Sequence, residues 1–274
     1  MSGEDPWIAL RRFTDARIGL GRSGSALPTR EVLKFSMAHA QARDAVKTPI
    51  DWAPIEAGLA ALNFKTMRIE SAAESRDQYL RRPDLGRRLS PKSRELLAAV
   101  TGATSDIAIV VGDGLSSTAV ANNAVSMLKA FQRQIENNGW TIGPVLLAGQ
   151  ARVALGDDAG EFLRAKAAIM LIGERPGLSS PDSLGAYLTW APRVGRKDGE
   201  RNCISNIRKG GLSYDEAAFI GGRKAAILLV NPNDGSEKLL TEKRWDYVEN
   251  LTWFDAENLV LTASAMSQGQ IWKV

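Results

Sequence analysis

Short, uninterrupted apolar runs mark the second half of this chain, and each is followed by a polar segment that contains glycine. The runs cover residues 107–111, 144–148 and 167–172. Continuous apolar runs of this length are typical of strands that are buried on both faces of a parallel sheet. We therefore predict three neighbouring parallel strands at these positions.

Helical spacing fills the gaps between these runs. Apolar residues recur at helical intervals from about residue 118 to 137, at Val120, Ala124, Met127, Leu128, Phe131 and Ile135. This spacing predicts a helix with one buried face. A shorter helix is expected over residues 157–166. Strands and helices that alternate in this way form the βαβαβ unit of a doubly wound sheet.

The loops that follow the three strands contain the candidate ligand site. They read Gly-Asp-Gly-Leu-Ser-Ser at 112–117, Gly-Gln-Ala-Arg-Val at 149–153 and Gly-Glu-Arg-Pro-Gly at 173–177. Right-handed crossovers bring the carboxyl ends of such strands to one edge of the sheet, where open α/β sheets bind their ligands. The sequence therefore predicts a ligand site at that edge.

The fold expected from these patterns is α/β, a doubly wound, Rossmann-like and mostly parallel sheet with a helical, basic N-terminal region. Residues 1–100 form the mostly helical region, 101–230 the Rossmann-like domain and 231–274 a C-terminal extension of unknown role. A further strand is expected at 186–191. The extension opens on a strong turn signal, Asn-Pro-Asn-Asp-Gly at 231–235, and contains Trp245, Trp253 and Trp272.

An arginine-rich turn lies within the N-terminal region. Arg81, Arg82, Arg87 and Arg88 flank the sequence Pro-Asp-Leu-Gly. Guanidinium groups this close together repel one another unless carboxylates, phosphate or a partner surface meet them. Two interpretations stay open from the sequence, a solvated loop that pairs with Asp84 and a docking surface for a partner.

Composition excludes several classes of protein. Apolar residues make up 44% of the chain and charged residues 24%, as in ordinary globular proteins. No apolar run nears the ~20 residues of a membrane span and no signal peptide is recognisable, so we expect a cytoplasmic protein without a membrane partner. The net charge of +4 is mildly basic. Because aromatic and basic residues do not interleave as on RNA-binding surfaces, no nucleic acid partner is expected.

The chain carries little recognisable catalytic chemistry. One histidine and one cysteine cannot form a Cys/His zinc cluster, so no metal site is predicted. Cys203 could act as a nucleophile only if the fold brought His39 to it. No pair of carboxylates is marked as acid and base. No catalytic residue is therefore assigned.

Five distinctive segments occur in a fixed order between residue 17 and about residue 218. They are Arg-Ile-Gly-Leu-Gly-Arg-Ser-Gly at 17–24, Tyr-Leu-Arg-Arg-Pro-Asp-Leu-Gly-Arg-Arg-Leu at 79–89, Gly-Asp-Gly-Leu-Ser at 112–116, Gly-Glu-Arg-Pro-Gly-Leu at 173–178 and Asn-Cys-Ile-Ser-Asn-Ile at 202–207. In this combination the chain resembles the small subunit of ethanolamine ammonia-lyase.

The resemblance implies an adenosylcobalamin-dependent lyase that converts ethanolamine to acetaldehyde and ammonia by a radical mechanism. In that family the small subunit closes over the corrinoid, the large subunit binds ethanolamine, and the two assemble as a hexamer of heterodimers. No catalytic residue is assigned in this chain, which agrees with this division of roles between the subunits, because the cofactor carries out the difficult chemistry. We therefore expect adenosylcobalamin as cofactor and the large subunit as partner.

The cobalamin contacts of the family correspond to Val153, Glu174 and Cys203 in the matching segments of this chain. A corrin ring is an apolar disc fringed by neutral amides, so its site needs an apolar surface, a carboxylate that accepts amide hydrogen bonds and a close approach of backbone. The sequence alone also allows Val153 to be a core strand residue. It likewise allows Glu174 to form a salt bridge with Arg175.

Two other functions stay open from the sequence. A nicotinamide-binding oxidoreductase would use the same sheet, although the segment at 112–117 lacks the glycine spacing of a dinucleotide loop. A non-catalytic scaffold or regulatory subunit would keep the fold without the cofactor. Longer members of the family carry an N-terminal extension associated with bacterial microcompartments. Since the first family segment begins at residue 17 here, enclosure in a microcompartment is left open.

Overall fold

The computed structural model describes Trp7, residues 10–14, 16–99 and 105–221, and the backbone of five strands between residues 228 and 273. The chain divides into two compact units, Met1–Gly221 and Gly222–Val274. The predicted turn at 231–235 and Trp245 lie outside the described residues.

The first unit contains seven α-helices and six strands in the part of it that the structure describes. The helices are α1 (Thr29–Lys47), α2 (Ala53–Ala61), α3 (Arg76–Arg81), α4 (Pro91–Ala99), α5 (Ser117–Asn138), α6 (Leu155–Phe162) and α7 (Tyr214–Gly221). The strands are β1 (Thr66–Glu70), β2 (Ile107–Gly112), β3 (Val145–Gly149), β4 (Ala167–Gly173), β5 (Leu184–Trp190) and β6 (Arg201–Ile207). None of the helices described is both long enough and apolar enough to cross a bilayer.

One six-stranded sheet, in the order β1-β3-β2-β4-β5-β6, organises this unit. Strands β1, β3, β2 and β4 are parallel to one another. Strands β5 and β6 extend the sheet beyond β4 in antiparallel register. Because β3 and β4 lie on opposite sides of β2, the chain winds outward from β2 in both directions. The predicted α/β, doubly wound and mostly parallel fold is confirmed.

Helices cover both faces of the sheet and create two apolar cores. One face of the sheet packs against α2, α5 and α7, and we call it the α5 face. The opposite face packs against α4 and α6, and we call it the α6 face. The central strand β2 contributes to both cores. Ile109 and Val111 point to the α5 face, and Ala108 and Val110 point to the α6 face. A strand buried on both sides needs apolar residues at every position, which explains the continuous run in the sequence.

Local signals in the sequence set the ends of the helices that flank β3. Helix α5 begins where the Ser116 hydroxyl accepts a hydrogen bond from the Ala119 N–H, and it ends at Gly139 with a φ of 63°. Helix α6 was expected at 157–166 but runs from Leu155 to Phe162. It stops early because Arg164 adopts a φ of 49°, in the left-handed region that an α-helix cannot contain.

The arginine-rich turn is partly neutralised within the chain itself. Arg81 lies 3.3 Å from Asp77, and Arg82 lies 2.8 Å from Asp84, with all four side chains mostly exposed. These contacts favour the solvated-loop interpretation for these two arginines. Arg87 and Arg88 are also exposed.

The second unit consists of strands in the part that the structure describes. Strands β7 (Leu228–Val230) and β8 (Glu237–Leu239) form an antiparallel pair. Strands β9 (Tyr247–Trp253), β10 (Leu259–Ala265) and β11 (Gln268–Lys273) form an antiparallel sheet in the order β11-β10-β9. Trp253 and Trp272 belong to the outer strands of this sheet.

Candidate functional site

The loops that follow β2, β3 and β4 meet at the carboxyl edge of the sheet, as predicted. The buried Asp113 carboxylate accepts a hydrogen bond from the Ala151 N–H at 2.9 Å. The Leu115 N–H donates to the Gly173 carbonyl at 2.9 Å. Burial raises the pKa of Asp113, whereas the Ala151 N–H and the nearby Arg76 favour its charged form. Asp113 thus ties the first two loops together from inside the protein.

Glycines let the loops after β2 and β4 touch through their backbones. Gly114 has a φ of 58°. A methyl group on Gly173 would overlap the Ser116 carbonyl oxygen and would lie 2.7 Å from the Asp113 carbonyl oxygen. Ligands of doubly wound sheets commonly enter the crevice where the winding reverses, which here lies between β2 and β4. Because backbone fills this crevice, the candidate site lies on the neighbouring sheet surface.

Glu174 follows β4 directly, and its side chain lies over β5. A methyl group on Gly185 would be 2.9 Å from the Glu174 carboxylate, so the carboxylate lies directly over the backbone of β5. The Ser205 hydroxyl donates to Oε1 at 2.5 Å, the Asn206 N–H donates to Oε2 at 3.3 Å, and the Ser183 hydroxyl donates to Oε2 as well. A carboxylate offers about four acceptor positions. One position is therefore left for a donor from a ligand.

Cys203 is exposed on β6, directly across from Tyr187 of β5. Desolvation raises the pKa of the Cys203 thiol; a hydrogen bond from Tyr187 opposes this rise, and the charge of Glu174 adds to it. A thiol with a raised pKa stays neutral near pH 7 and is a weak nucleophile. His39, the one histidine, packs against Phe35 of α1 at 4.7 Å between ring centroids. Cys203 is thus suited to contact a neutral ligand.

Val153 lies in the loop between β3 and α6 and is half-buried. It packs against the apolar core of the α6 face, and Tyr187 packs against the same core. The Val153 carbonyl accepts a hydrogen bond from the Gly156 N–H at 3.0 Å in the first turn of α6. Val153 is therefore a loop residue, and its interpretation as a core strand residue is wrong.

The structure places the predicted residues on one side of the sheet. We define the β5–β6 surface as the α6 face of the two outer strands, formed by Gly185, Tyr187, Cys203 and Ser205. Glu174 and Cys203 come together at this surface, while Val153 joins the same face from the loop before α6. In the described part of the chain, no ion pair joins Glu174 to Arg175.

Three residues of this arrangement were not predicted, namely Ser183, Tyr187 and Ser205. Tyr187 lies in the alternating segment at 186–191, whose pattern predicts a strand but does not show which strand it pairs with. Its contact with Cys203 depends on the antiparallel pairing of β5 with β6. The sequence of β6 is mostly polar and lacks the apolar pattern of a buried strand. The pairing of β5 with β6 could therefore not be predicted from the sequence.

Two buried carboxylates fix α6 between its neighbours. Asp157 pairs with Arg201 at the start of β6, and both side chains are only 3% exposed. Asp158 pairs with Arg94 of α4 at 2.7 Å and accepts a hydrogen bond from the Leu89 N–H at 2.9 Å. Helix α6, which follows Val153, and strand β6, which carries Cys203, are therefore held in fixed positions relative to each other.

The described residues of the β5–β6 surface are suited to binding a ligand. Within these ranges, no three His, Cys, Asp or Glu side chains are grouped so that they could hold a metal ion. The β5–β6 surface combines an apolar ring, a neutral thiol and a fixed carboxylate with one open acceptor position. Such a surface can orient and shield a large neutral ligand that carries N–H groups.

The fold and the candidate site define a Rossmann-like α/β protein with a candidate ligand surface on the outer strands of its sheet. A family model described as ethanolamine ammonia-lyase light chain (EutC) matches residues 4–228. The ethanolamine ammonia-lyase small subunit of Xanthomonas campestris pv. campestris is 54% identical over 228 residues, which is 82% of each chain. The chain belongs to the ethanolamine ammonia-lyase light chain family, which confirms the resemblance.

Two further relatives carry the same name. The ethanolamine ammonia-lyase small subunit of Pseudomonas aeruginosa (strain PAO1) is 54% identical over 220 residues, 79% of this chain and 81% of the relative. That of Ralstonia nicotianae is 53% identical over 218 residues, 78% of this chain and 81% of the relative. The light chain is the small subunit of a carbon–nitrogen lyase from an adenosylcobalamin-dependent family, and a small subunit implies a large-subunit partner.

Proposed function

We propose that this chain covers one face of adenosylcobalamin through the β5–β6 surface, with Val153, Glu174 and Cys203 as contacts. The observation that carries this proposal is the position of the Glu174 carboxylate. Hydrogen bonds from three neighbouring residues hold it over the space that Gly185 leaves, with one acceptor position open to a ligand. An amide N–H at the rim of a corrin ring is a donor of the kind that this position accepts.

The other residues of the surface fit the same ligand. Tyr187 and Val153 are half-buried and pack on one apolar core, so they offer apolar area that is already held in place. Cys203 is exposed, and its raised pKa keeps it neutral. A partly apolar disc would lose little solvation over Val153 and Tyr187, and the hydrogen bonds to Glu174 would compensate for covering its carboxylate.

When bound, the cofactor supplies the radical chemistry by which ethanolamine is converted to acetaldehyde and ammonia. The residues of this chain bind and orient it. Glu174 accepts a hydrogen bond from its rim, and Cys203 contacts it as a neutral thiol. Val153 and Tyr187 exclude water from the covered face. In this proposal none of these residues transfers a proton to or from the substrate.

The assembly and its location are part of the same proposal. We infer that the large subunit binds ethanolamine and that the two chains form a hexamer of heterodimers in the cytoplasm. Residues 101–230 contact the cofactor, and the mostly helical 1–100 region lies beside them in sequence. The role of 231–274 and enclosure in a microcompartment stay open.

Replacing Glu174 by alanine should weaken cofactor binding without separating the subunits. The variant removes a charged acceptor, and hydrogen bonds to charged groups contribute about 1.5–3 kcal/mol. The dissociation constant for adenosylcobalamin should therefore rise by about tenfold or more. Equilibrium binding to the assembled complex, followed by the absorbance of the corrinoid, measures this change.

Glu136→Ala is the matched control for this variant. Glu136 is an exposed carboxylate near the end of α5, at the opposite edge of the sheet from Glu174. The control should leave the cofactor dissociation constant unchanged. Equal affinity of the Glu174→Ala and native complexes would show that the Glu174 assignment is wrong.

A further inference from the structure

The first long helix of the chain, α1, is exposed over most of its surface. Only three of its nineteen residues, Glu31, Ala38 and Ala45, are buried. They lie seven positions apart and form one narrow line along the helix. A helix of this length gains most of its stability in a protein from packing of an apolar face. α1 therefore has much more surface than the described part of the chain covers.

Large apolar side chains occupy that uncovered surface. Leu33 and Met37 are 64% and 61% exposed, and Val32 and Phe35 are 45% and 44% exposed. Leu33 and Met37 are four positions apart and are therefore neighbours on the helix surface. Other large apolar side chains that are exposed in the described part of the chain lie outside α1, at Trp7, Leu10, Phe13, Leu27, Leu96, Trp190 and Val194. Exposed apolar clusters of this kind mark protein interaction sites.

Basic side chains are exposed on the same helix. Arg30, Lys34 and Arg43 are 73%, 60% and 70% exposed. Glu31, which pairs with Arg30 and Lys34, is itself buried, and Asp44 is the exposed carboxylate of α1. The surface of α1 is thus apolar with a basic margin. It is complementary to an apolar surface that is bordered by carboxylates.

α1 lies along the same edge of the sheet as Glu174. At one end of the helix, the Ser117 hydroxyl of α5 donates to the Thr48 carbonyl at 2.6 Å. At the other end, the Arg17 guanidinium lies over the Phe35 ring at 5.7 Å and donates to the Leu178 carbonyl at 3.3 Å. Ser117 follows the loop after β2, and Leu178 follows the loop after β4. A partner that closes over this edge therefore meets α1 as well.

We propose that the face of α1 that carries Leu33 and Met37, with Arg30 and Lys34 beside them, is a docking surface for the large subunit. The large subunit contributes an apolar surface bordered by carboxylates at this contact. The inference rests on the proposed function, because the large subunit has to approach the carboxyl edge of the sheet to enclose a cofactor there. α1 then fixes the orientation of the two subunits around the cofactor.

A second copy of this chain fits the same surface less well. Two α1 helices packed face to face would bring Arg30, Lys34 and Arg43 of one copy towards the same residues of the other. Like charges that meet at an interface disfavour association. The charge pattern therefore favours a partner of opposite charge over self-association.

The test replaces Leu33 and Met37 together by glutamine. Glutamine is a good helix former, so α1 should keep its structure while it loses apolar contact area. Binding to the purified large subunit from the same organism, measured by interferometry with adenosylcobalamin present, should weaken by about tenfold or more. The matched control is Leu96→Gln/Val194→Gln, which changes two other exposed apolar side chains away from α1 and should bind as the native chain does.

A further variant tests the charge pattern. Arg43→Glu reverses a 70% exposed charge that lies six positions after Met37 on the same helix and pairs with Asp44 at 3.8 Å. It should weaken binding to the large subunit, and it should make the remaining binding less sensitive to salt, because one favourable charge contact is lost. Unchanged affinity and salt dependence would contradict the proposed complementarity.

Three results would overturn the docking proposal. The Leu33→Gln/Met37→Gln variant could bind the large subunit like the native chain, or it could lose only self-association in sedimentation, which would assign α1 to a second copy. It could also melt well below the native chain, which would show that α1 is covered within this chain. In each case the native chain still binds the large subunit and the cofactor. Failure of the native chain itself to bind either one would instead refute the proposed function.

Discussion

Arg201→Met is expected to lower the free energy of unfolding by about 3–5 kcal/mol, because it leaves a buried carboxylate without its partner. The Arg201 and Asp157 side chains are each 3% exposed, and the guanidinium Nε lies 3.1 Å from the carboxylate. Arg201 also donates to Asp198 at 2.7 Å and to the Arg196 carbonyl at 2.8 Å. Its removal therefore disrupts the start of β6 as well as the contact with α6.

The same variant should weaken cofactor binding. Cys203 lies two positions beyond Arg201 on β6, and Val153 lies just before the helix that carries Asp157. Without the ion pair, these elements are no longer fixed relative to each other. Arg201 lies below the β5–β6 surface, so it would affect cofactor binding only by holding these elements in place.

Urea unfolding followed by far-ultraviolet circular dichroism measures the change in stability, because the α-helices of the described chain all lie in the first unit. Arg133→Gln is the control, since Arg133 and Asp215 form an exposed pair whose loss should cost about 1 kcal/mol or less. The double variant Asp157→Leu/Arg201→Met should recover most of the lost stability, because it removes both buried charges. A loss below 1 kcal/mol for Arg201→Met would contradict this account.

Gly173→Ala is expected to destabilise the first unit by about 3 kcal/mol and to reduce cofactor affinity. An added methyl group would overlap the Ser116 carbonyl, which belongs to backbone that is itself held by the start of α5. The clash cannot be relieved by turning a side chain. Relief requires the loops after β2 and β4 to separate, and such a movement would carry Glu174 away from its place over Gly185.

Gly143→Ala provides the control for this substitution. The nearest atoms to an added methyl group there are 3.9 Å and 4.0 Å away, which is ordinary van der Waals contact. Its unfolding free energy should stay within about 0.5 kcal/mol of the native value. If Gly173→Ala were equally neutral, the close backbone contact at the carboxyl edge would not exist in solution.

The sequence predicts the central part of the fold because burial leaves a direct pattern there. Strand β2 is buried on both faces, so all of its residues are apolar. Helix α5 is buried on one face, so its apolar residues recur with the helical period. Each pattern is local and depends little on which elements are neighbours.

The outer part of the sheet could not be predicted in the same way. Strand β6 has one fully buried residue, Ile207, and its other positions are polar or only partly covered. Its place beside β5 depends on long-range pairing and on a register shift near Leu184. Such long-range pairing does not produce a periodic pattern of apolar residues in the sequence of β6.

The candidate site was predicted from motif segments, and its geometry emerged only from the fold. Glu174 and Cys203 lie 29 positions apart in sequence, and their meeting depends on the antiparallel return through β5. Their connection through Tyr187 and Ser205 was missed for the same reason. The filled crevice between β2 and β4 was also missed, because close backbone contact is marked in the sequence only by isolated glycines.

The central claim is that this chain forms, with a large subunit, a lyase that depends on adenosylcobalamin. The most direct measurement is the release of ammonia from ethanolamine by this chain after co-purification with the large subunit from the same organism. We expect release that requires adenosylcobalamin and that stops when either chain is omitted. Association of the two chains without cofactor-dependent release, or release by the large subunit alone, would contradict the account.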